Sequence, residues 1–489
     1  MKRKQRLSLR FIFAGLAAAA VFLTPAASGR TFHAAGEDQV LDAILRIDIL
    51  EIQATLTYDP AASSVTGHAE LIFKMRPGQT RPLFHFDPYT RDGAADVSVW
   101  LDGEPIPASL PSGLKILRFP GTTQPSIEIA RDITDGGTHL LTVDYRLNVP
   151  AANPRFSSNV NDIYGRGNEE VFPTLNSPGE LALHRLTFRV AGTTPFRFLG
   201  SGLVRRSARS DIQEWTLDTE REVASYTVMF ALLPAADTVY EERTIGGVPV
   251  RIMAYADGPS LAQAWIQITP WLPALAARYG PFPMPRGLSI FLVSIGGGME
   301  YYGATISTVS ALRHEIHHMY FGCQVIAKTY RDSWWDEAVT SWAVDNAAGI
   351  LPISDEYRSN MVSGRSPYAV GFDTRAYSDG AKIIETLARL IGGRSAMTGF
   401  LADLYRRRSF TPFNTLQFVD FFGEFSGFDM RPDFLNWVYS GQTPIPALAA
   451  EEADAAGAAK EIDWTPPENL RRKYGIPDPS AGTLSRRGS

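Results

Sequence analysis

Between Leu45 and Leu233 the chain alternates. In ILEIQATLTYD (49–59), GHAELIFKM (67–75), VSVWLDGEPI (97–106), THLLTVDYRL (138–147), LHRLTFRVAG (183–192) and ASYTVMFALL (224–233), apolar and polar positions trade places or form short β-rich runs. A period of two puts the apolar side chains on one face of a strand and leaves the other face to water. Clusters such as DPAAS, RPGQT and LPSG interrupt the runs where a chain must turn. Strands at this spacing predict an antiparallel β-domain over residues 40–237, built as a sandwich or a saddle-shaped sheet.

Near Asp237 the pattern changes. TIGGVPVRIMAYAD (244–257) and RGLSIFLVSI (286–295) read as two further strands, and SLAQAWIQITPWLPALAARYG (260–280) reads as a helix between them. DGAKIIETLARLIGG (379–393), RSAMTGFLADLYRRRS (394–409) and TLQFVDFFGEFSG (415–427) read as helices too. The expectation for 238–442 is a mostly helical domain with a small β-sheet, which makes the chain an α+β multidomain protein. From 443 to 489 an alanine- and acid-rich stretch gives way to a Pro- and Arg-containing end, read as a tail. No internal repeat is evident.

Bulk composition supports this division. A chain of 489 residues exceeds one hydrophobic core and predicts two to four domains. With 45% hydrophobic and 11% aromatic residues it can bury a large interior.

The first 28 residues stand apart. MKRKQRLSLR carries five cations and no acid, FIFAGLAAAAVFL is an apolar run of 13 residues, and TPAAS supplies small residues for a cut after about Ala27 or Ser28. This order predicts a signal peptide over 1–28 and a secreted or periplasmic protein. The run is short for an uncleaved anchor, so no stable membrane span is expected after cleavage. Loss of five positive charges takes the formal net charge from −5 to −10, which gives no electrostatic reason to seek nucleic acid or anionic lipid. Cys323 is the single cysteine, so no internal disulfide can form, and it is expected to pack as a small hydrophobe.

The candidate chemistry lies in RHEIHHMYF (313–321). On a helix, His314 and His318 are one turn apart, about 40° out of register and ~6 Å along the axis. Two imidazoles so placed can reach one ion. Glu315, offset by roughly 100°, lies beside the ion, where it can take a proton from an attacking water. His317 is a competing ligand by sequence, but its angle makes it a flanking group.

A catalytic zinc takes three protein ligands and keeps one position open. Eighteen residues separate His318 from Glu337, which sits in SWWDEAVTSWAVD (333–345), in the first turn of an expected helix with Asp336 beside it.

HEIHH, eighteen residues, and the glutamate of WWDEA together resemble the zinc aminopeptidases of the gluzincin group, the family of alanyl aminopeptidase and leukotriene hydrolase. GGGMEYYG (296–303) is similar to that family's G-x-M-E-N-x-G segment at Gly297, Met299, Glu300 and Gly303, and YSDGAKIIETLARLIGG (377–393) to its Y-x-x-G segment at Tyr377 and Gly380. The resemblance covers most of residues 45–440. It implies a β-domain followed by a thermolysin-like catalytic domain, one Zn2+ on His314, His318 and Glu337, and a peptide substrate. It also implies Glu315 as the base and Tyr377 as hydroxyl donor to the oxyanion, with Tyr368 a rival. Glu300 would pair with a peptide's α-ammonium, and Gly297, Gly298 and Met299 would lie along the substrate backbone.

Departures from the pattern leave exopeptidase specificity open. Tyr301 stands where the family has Asn, and the stretch from Glu300 to His314 is short. A second anchor for the amine, sought in RFSSNVNDIYGRGNEEVFP (155–173), cannot be assigned. The large helical C-terminal domain of the family's long members has no counterpart. The alternatives are a zinc peptidase or hydrolase without amine anchoring, and an inactive peptidase-like binding module. Retention of Glu315 and Tyr377 weighs against the last.

Overall fold

The computed structural model describes residues 47–439, apart from 76–80, 87–95, 107–113, 119–124, 149–155, 159–170, 209–211, 346–348, 363–372 and a few further positions. The signal peptide, the tail, Tyr368 and most of 155–173 therefore lie outside the described residues.

The alternating strands build an eight-stranded sheet. Its order is β12 (Leu203–Arg206), β13 (Gln213–Ala224), β10 (Leu181–Val190), β1 (Ile47–Asp59), β2 (Ser64–Met75), β8 (Thr138–Asn148), β4 (Val97–Leu101) and β5 (Glu104–Ile106). In β1 the buried set runs Ile47, Ile49, then Ile52, Ala54, Leu56 and Tyr58, so the phase slips by one residue. The slip coincides with a bulge between Ile49 and Glu51 in the pairing with β2, where one extra residue flips which face is buried. Two three-stranded sheets flank it: β3 (Leu83–His85), β7 (Pro125–Ile129) and β6 (Leu114–Arg118); and β11 (Phe196–Gly200), β14 (Phe230–Pro234) and β9 (Phe156–Ser158).

Two expectations need correction here. The large sheet is not wholly antiparallel, because β1 and β10 pair in parallel, Glu51 opposite Leu183 through Tyr58 opposite Val190. More than a hundred residues separate the two strands, so neither direction is imposed by a tight turn. ASYTVMFALL is not one strand either. A 3-10 turn at Ser225–Thr227, held by the Thr227 hydroxyl on Ala224 O at 2.7 Å, sends β13 and β14 into different sheets.

The second large sheet runs β15 (Thr238–Ile245), β16 (Val248–Tyr255), β17 (Leu288–Leu292), β19 (Ala304–Ser307) and β18 (Gly298–Tyr301). TIGGVPVRIMAYAD, expected as one strand, is the turn and second arm of a hairpin. Gly246 and Gly247 take φ of 56° and 85°, the left-handed values a two-residue hairpin turn needs, so the chain reverses between β15 and β16. All five residues of β17 are buried, as suits a central strand paired in parallel on both sides.

Around this sheet pack α1 (Leu261–Tyr279), α2 (Leu312–His317), α3 (Trp334–Thr340), α4 (Ala381–Leu390), α5 (Arg394–Arg408), α6 (Thr415–Ser426) and α7 (Arg431–Trp437). Sheet and helices share this part of the chain, so "mostly helical" overstates the helix content. Among the described residues the unit mixes seven α-helices with the five strands β15 to β19, which need helices to cover them.

Two packing features fix the helices that carry the candidate chemistry. Trp271 of α1 donates its indole N–H to Arg313 O at 3.1 Å, tying α1 to the start of α2. Trp334 and Trp335 are fully buried at the head of α3, where Trp335 stacks on Phe413 at 5.0 Å and Trp334 donates to the Thr415 hydroxyl at 3.1 Å. Truncating a buried Trp of this kind costs about 3–5 kcal/mol.

Candidate metal centre

α2 is short. Its regular part stops at His317, and His318 is the C-cap, still in right-handed helical conformation at φ −60°, ψ −17°. That is enough to keep His314 and His318 one turn apart on one face, with ring centroids 4.8 Å apart. α3 brings Glu337 against them. Glu337 Oε2 lies 3.0 Å from His314 Nε2 and 3.4 Å from His318 Nε2, and one ligand atom from each of the three residues falls within 4.8 Å of the others.

The donor chemistry of this trio fits a metal ion. His318 Nδ1 donates to Asp336 Oδ1 at 2.6 Å and faces Phe321 O at 3.0 Å, both acceptors, so its proton is on Nδ1. The Nε2 lone pair is then aimed at the gap, and this buried atom has no hydrogen-bond partner. Burial opposes charge on His318, yet Asp336, Glu300 and Glu337 outweigh it and pull its pKa well above the ordinary imidazole range. Burial pushes Glu337 the other way from its final state, and His318 and His314 overcome it to hold the carboxyl well below the usual range. A pocket this rich in carboxylates lowers its energy by taking up a cation.

Asp336 was missed as a participant by sequence reasoning. The adjacent acids Asp336 and Glu337 project about 100° apart on α3, so one reaches the Nδ1 side of His318 and the other the Nε2 side. The consecutive acids were the available signal. Gly322 makes room for the first, since a Cβ there would sit 2.7 Å from Asp336 Oδ2, and its φ of 126° is a conformation that favours glycine.

His317 is not part of the trio. It is fully buried, with Nδ1 2.9 Å from the Thr340 hydroxyl and Nε2 3.2 Å from the Tyr279 hydroxyl, so both ring nitrogens are engaged away from the gap. Cys323 is buried, as its expected packing requires.

Glu315 and Glu300 face the same space from two elements. A carboxylate oxygen of each lies within 4.8 Å of a His318 ring nitrogen and of the other. Burial raises the Glu315 pKa to about 8, with Glu300 and Glu337 adding to it and His318 and His314 opposing. Burial likewise raises the Glu300 pKa, with Glu337 adding to it against His318.

Alternation along β18 sorts the remaining expectations. Gly298 and Glu300 share the face toward α2, and Met299 and Tyr301 point the other way into a small core with Phe291 and Ile306. The side chain of Met299 thus packs against that core, and Tyr301, where the resembled family has Asn, is buried in it. A Cβ on Gly298 would lie 2.4 Å from Glu315 Cγ, so this glycine makes room for the Glu315 side chain. Gly297, at φ 82°, has nothing within 4 Å of its absent Cβ.

Tyr377 lies in a π-helical turn, Ala376–Gly380, that leads into α4. It is 41% exposed, and its hydroxyl donates to Glu337 Oε1 at 2.8 Å. The hydroxyl is therefore at the edge of the trio. Gly380 allows the approach, since a Cβ there would meet Ala338 Cβ of α3 at 2.7 Å.

No family model matches the chain, and no curated protein matches it in sequence. Solved structures do match in fold. The M1 zinc metallopeptidase from Deinococcus radiodurans is 17% identical and superposes with a TM-score of 0.57, covering 82% of this chain and 95% of its own. A mutant of that enzyme bound to a Tyr-Ser-Ala substrate is likewise 17% identical, with a TM-score of 0.59 and the same coverage. A mutant two-domain M1 zinc metallopeptidase bound to L-tryptophan, 17% identical, also gives 0.59, covering 82% of this chain and 96% of its own. The chain has the fold of the M1 zinc metallopeptidases.

Proposed function

We propose that this chain is a zinc-dependent metallopeptidase, exported from the cell, that removes N-terminal residues from peptides. The observation that carries the reading is the convergence of His314 Nε2, His318 Nε2 and a Glu337 oxygen within 4.8 Å, with Glu315 facing the same gap. The fold it shares with M1 zinc metallopeptidases, one of them solved with Tyr-Ser-Ala, supports a peptide substrate.

His314, His318 and Glu337 would hold the ion. When bound, zinc polarises a scissile carbonyl and makes water a stronger acid. Glu315 accepts the proton of the attacking water and returns it to the leaving amine nitrogen. Tyr377 donates its hydroxyl hydrogen to the carbonyl oxygen as negative charge gathers there, exchanging its bond to Glu337 for one to substrate. Asp336 keeps the His318 ring turned to the gap. Glu300, buried on the edge strand, pairs with the substrate's α-ammonium, and this charge pair sets the cut at the first residue.

Metal content and turnover on a panel of free and N-acetylated peptides test the reading. One equivalent of zinc and hydrolysis restricted to free amines are the expected result. Equal hydrolysis of blocked peptides would leave a peptidase without amine anchoring, and a zinc-free, inactive protein would leave a binding module. Detection of the mature protein outside the cytoplasm, lacking about 28 residues, tests export.

A further inference from the structure

We propose that the groove at the carboxyl ends of β16, β17 and β19 binds the part of a peptide lying beyond the cleaved bond. This rests on the peptidase reading and adds where a longer peptide lies. β16, β17 and β19 run parallel, so their carboxyl ends open along one edge of the sheet, beside the start of α1. Outside those ends lies a crevice against α1. Here it is an open groove of about 690 Å³, lined by Asp257 after β16, Ile266 and Gln267 of α1, Ser294 after β17, and Thr308 and Ser310 after β19. The last two belong to the four-residue link from β19 to α2, the short connection between Glu300 and His314 singled out in the sequence.

The groove lies next to the candidate site. Thr308 N–H donates to Gly297 O at 2.7 Å, so its wall is bonded to the residue that leads into β18. β18 is the edge strand of its sheet and carries Glu300 near its far end. Beyond Glu300 that end is closed, since Tyr301 and Tyr302 are buried and Tyr302 N–H is bonded to Thr227 O at 2.9 Å. A peptide anchored by its amine at Glu300 must therefore run back along β18, antiparallel to it. It passes Met299 and Gly298 and reaches Gly297 after roughly three residues, ~10 Å. The open space at Gly297 lets the backbone through into the groove.

Groove chemistry defines the ligand class. Hydroxyl and amide groups of Ser294, Thr308, Ser310 and Gln267 suit a peptide backbone, and Ile266, 71% exposed, offers an apolar seat. Asp257 favours basic over acidic side chains beside it.

The test uses calorimetric binding of unlabelled peptides of two to seven residues, sharing one N-terminal dipeptide, to the zinc-loaded Glu315→Gln protein. Affinity rises about tenfold from dipeptide to hexapeptide, a gain of about 1.4 kcal/mol. Gln267→Trp, which fills the groove, abolishes that ratio, and Asp257→Lys reverses the preference for Lys- over Glu-containing hexapeptides. Equal affinity at all lengths, or a gain that survives both variants, overturns the proposal. If this binding pattern holds but wild-type protein hydrolyses no peptide, the peptidase reading fails while the groove stands.

Discussion

His318 Nδ1 lies 2.6 Å from Asp336 Oδ1, inside a pocket where the imidazole is fully buried. A carboxylate in that position holds the Nδ1 proton and the tilt of the ring, so Nε2 is aimed at the gap before any ion arrives.

Asp336→Ala is expected to weaken zinc binding about 10- to 100-fold, and Asp336→Asn, whose amide oxygen can still accept the Nδ1 proton, to recover most of it. Competition with a chromophoric chelator measures both. An alanine variant that binds zinc as tightly as wild type would show that the contact does not position the ligand.

Glu315→Gln keeps the side-chain volume but removes the proton acceptor. Zinc content should stay at wild-type level while kcat falls about 10²- to 10⁴-fold. Metal analysis beside steady-state kinetics separates this from loss of the site.

Gly298→Ala places a methyl group 2.4 to 2.5 Å from the Cγ, Cδ and Oε1 of Glu315. The base has to move, so activity should drop as steeply as in the Glu315 variant while zinc binding changes little. Unchanged turnover would show that the β18–α2 contact is looser than drawn.

Two histidines far from the metal make stability depend on acid. Burial lowers the pKa of His85 and of His184 to about 4. The unfolded chain binds protons at these rings near pH 6.5, and the folded protein does not until about pH 4. The unfolded state thus binds more protons in that window, and stability falls as pH drops through it. Each ring contributes about 3 kcal/mol above pH 6.5 that is gone near pH 4. Urea midpoints of the zinc-free protein at pH 7.5 and 4.5 measure the loss, and His184→Gln should remove about half of it.

The depth of burial around each ring, which sets this acid response, comes from packing and not from any local pattern. His184 belongs to an alternating strand and reads as an ordinary inward position, yet its Nε2 is 3.0 Å from the Ser225 hydroxyl, held there by the turn that ends β13. Much of the site was nonetheless legible. His314 and His318 are one helical turn apart whatever surrounds them, and Glu315 follows from the same geometry. Glu337 was reached by its spacing of eighteen residues from His318 and its place just after Trp334 and Trp335. Gly298 has a further reason that spacing did not show, since a Cβ there would collide with Glu315. The direction of β10 against β1 and the break at Ser225 were illegible, because strand period says which face is buried and nothing about which neighbour lies alongside.

The chain by itself determined the things that depend on residues close in sequence: alternating strands, the i, i+4 histidines, and the Gly-Gly turn that local φ requires. Tertiary structure alone decided which groups meet across distance. It set Asp336 behind His318, turned His317 to Thr340 and Tyr279, brought the Tyr377 hydroxyl to Glu337, and opened a groove beyond Gly297. These pairings depend on how separate elements pack, and packing is fixed by the burial of the whole core, which no short window of sequence contains.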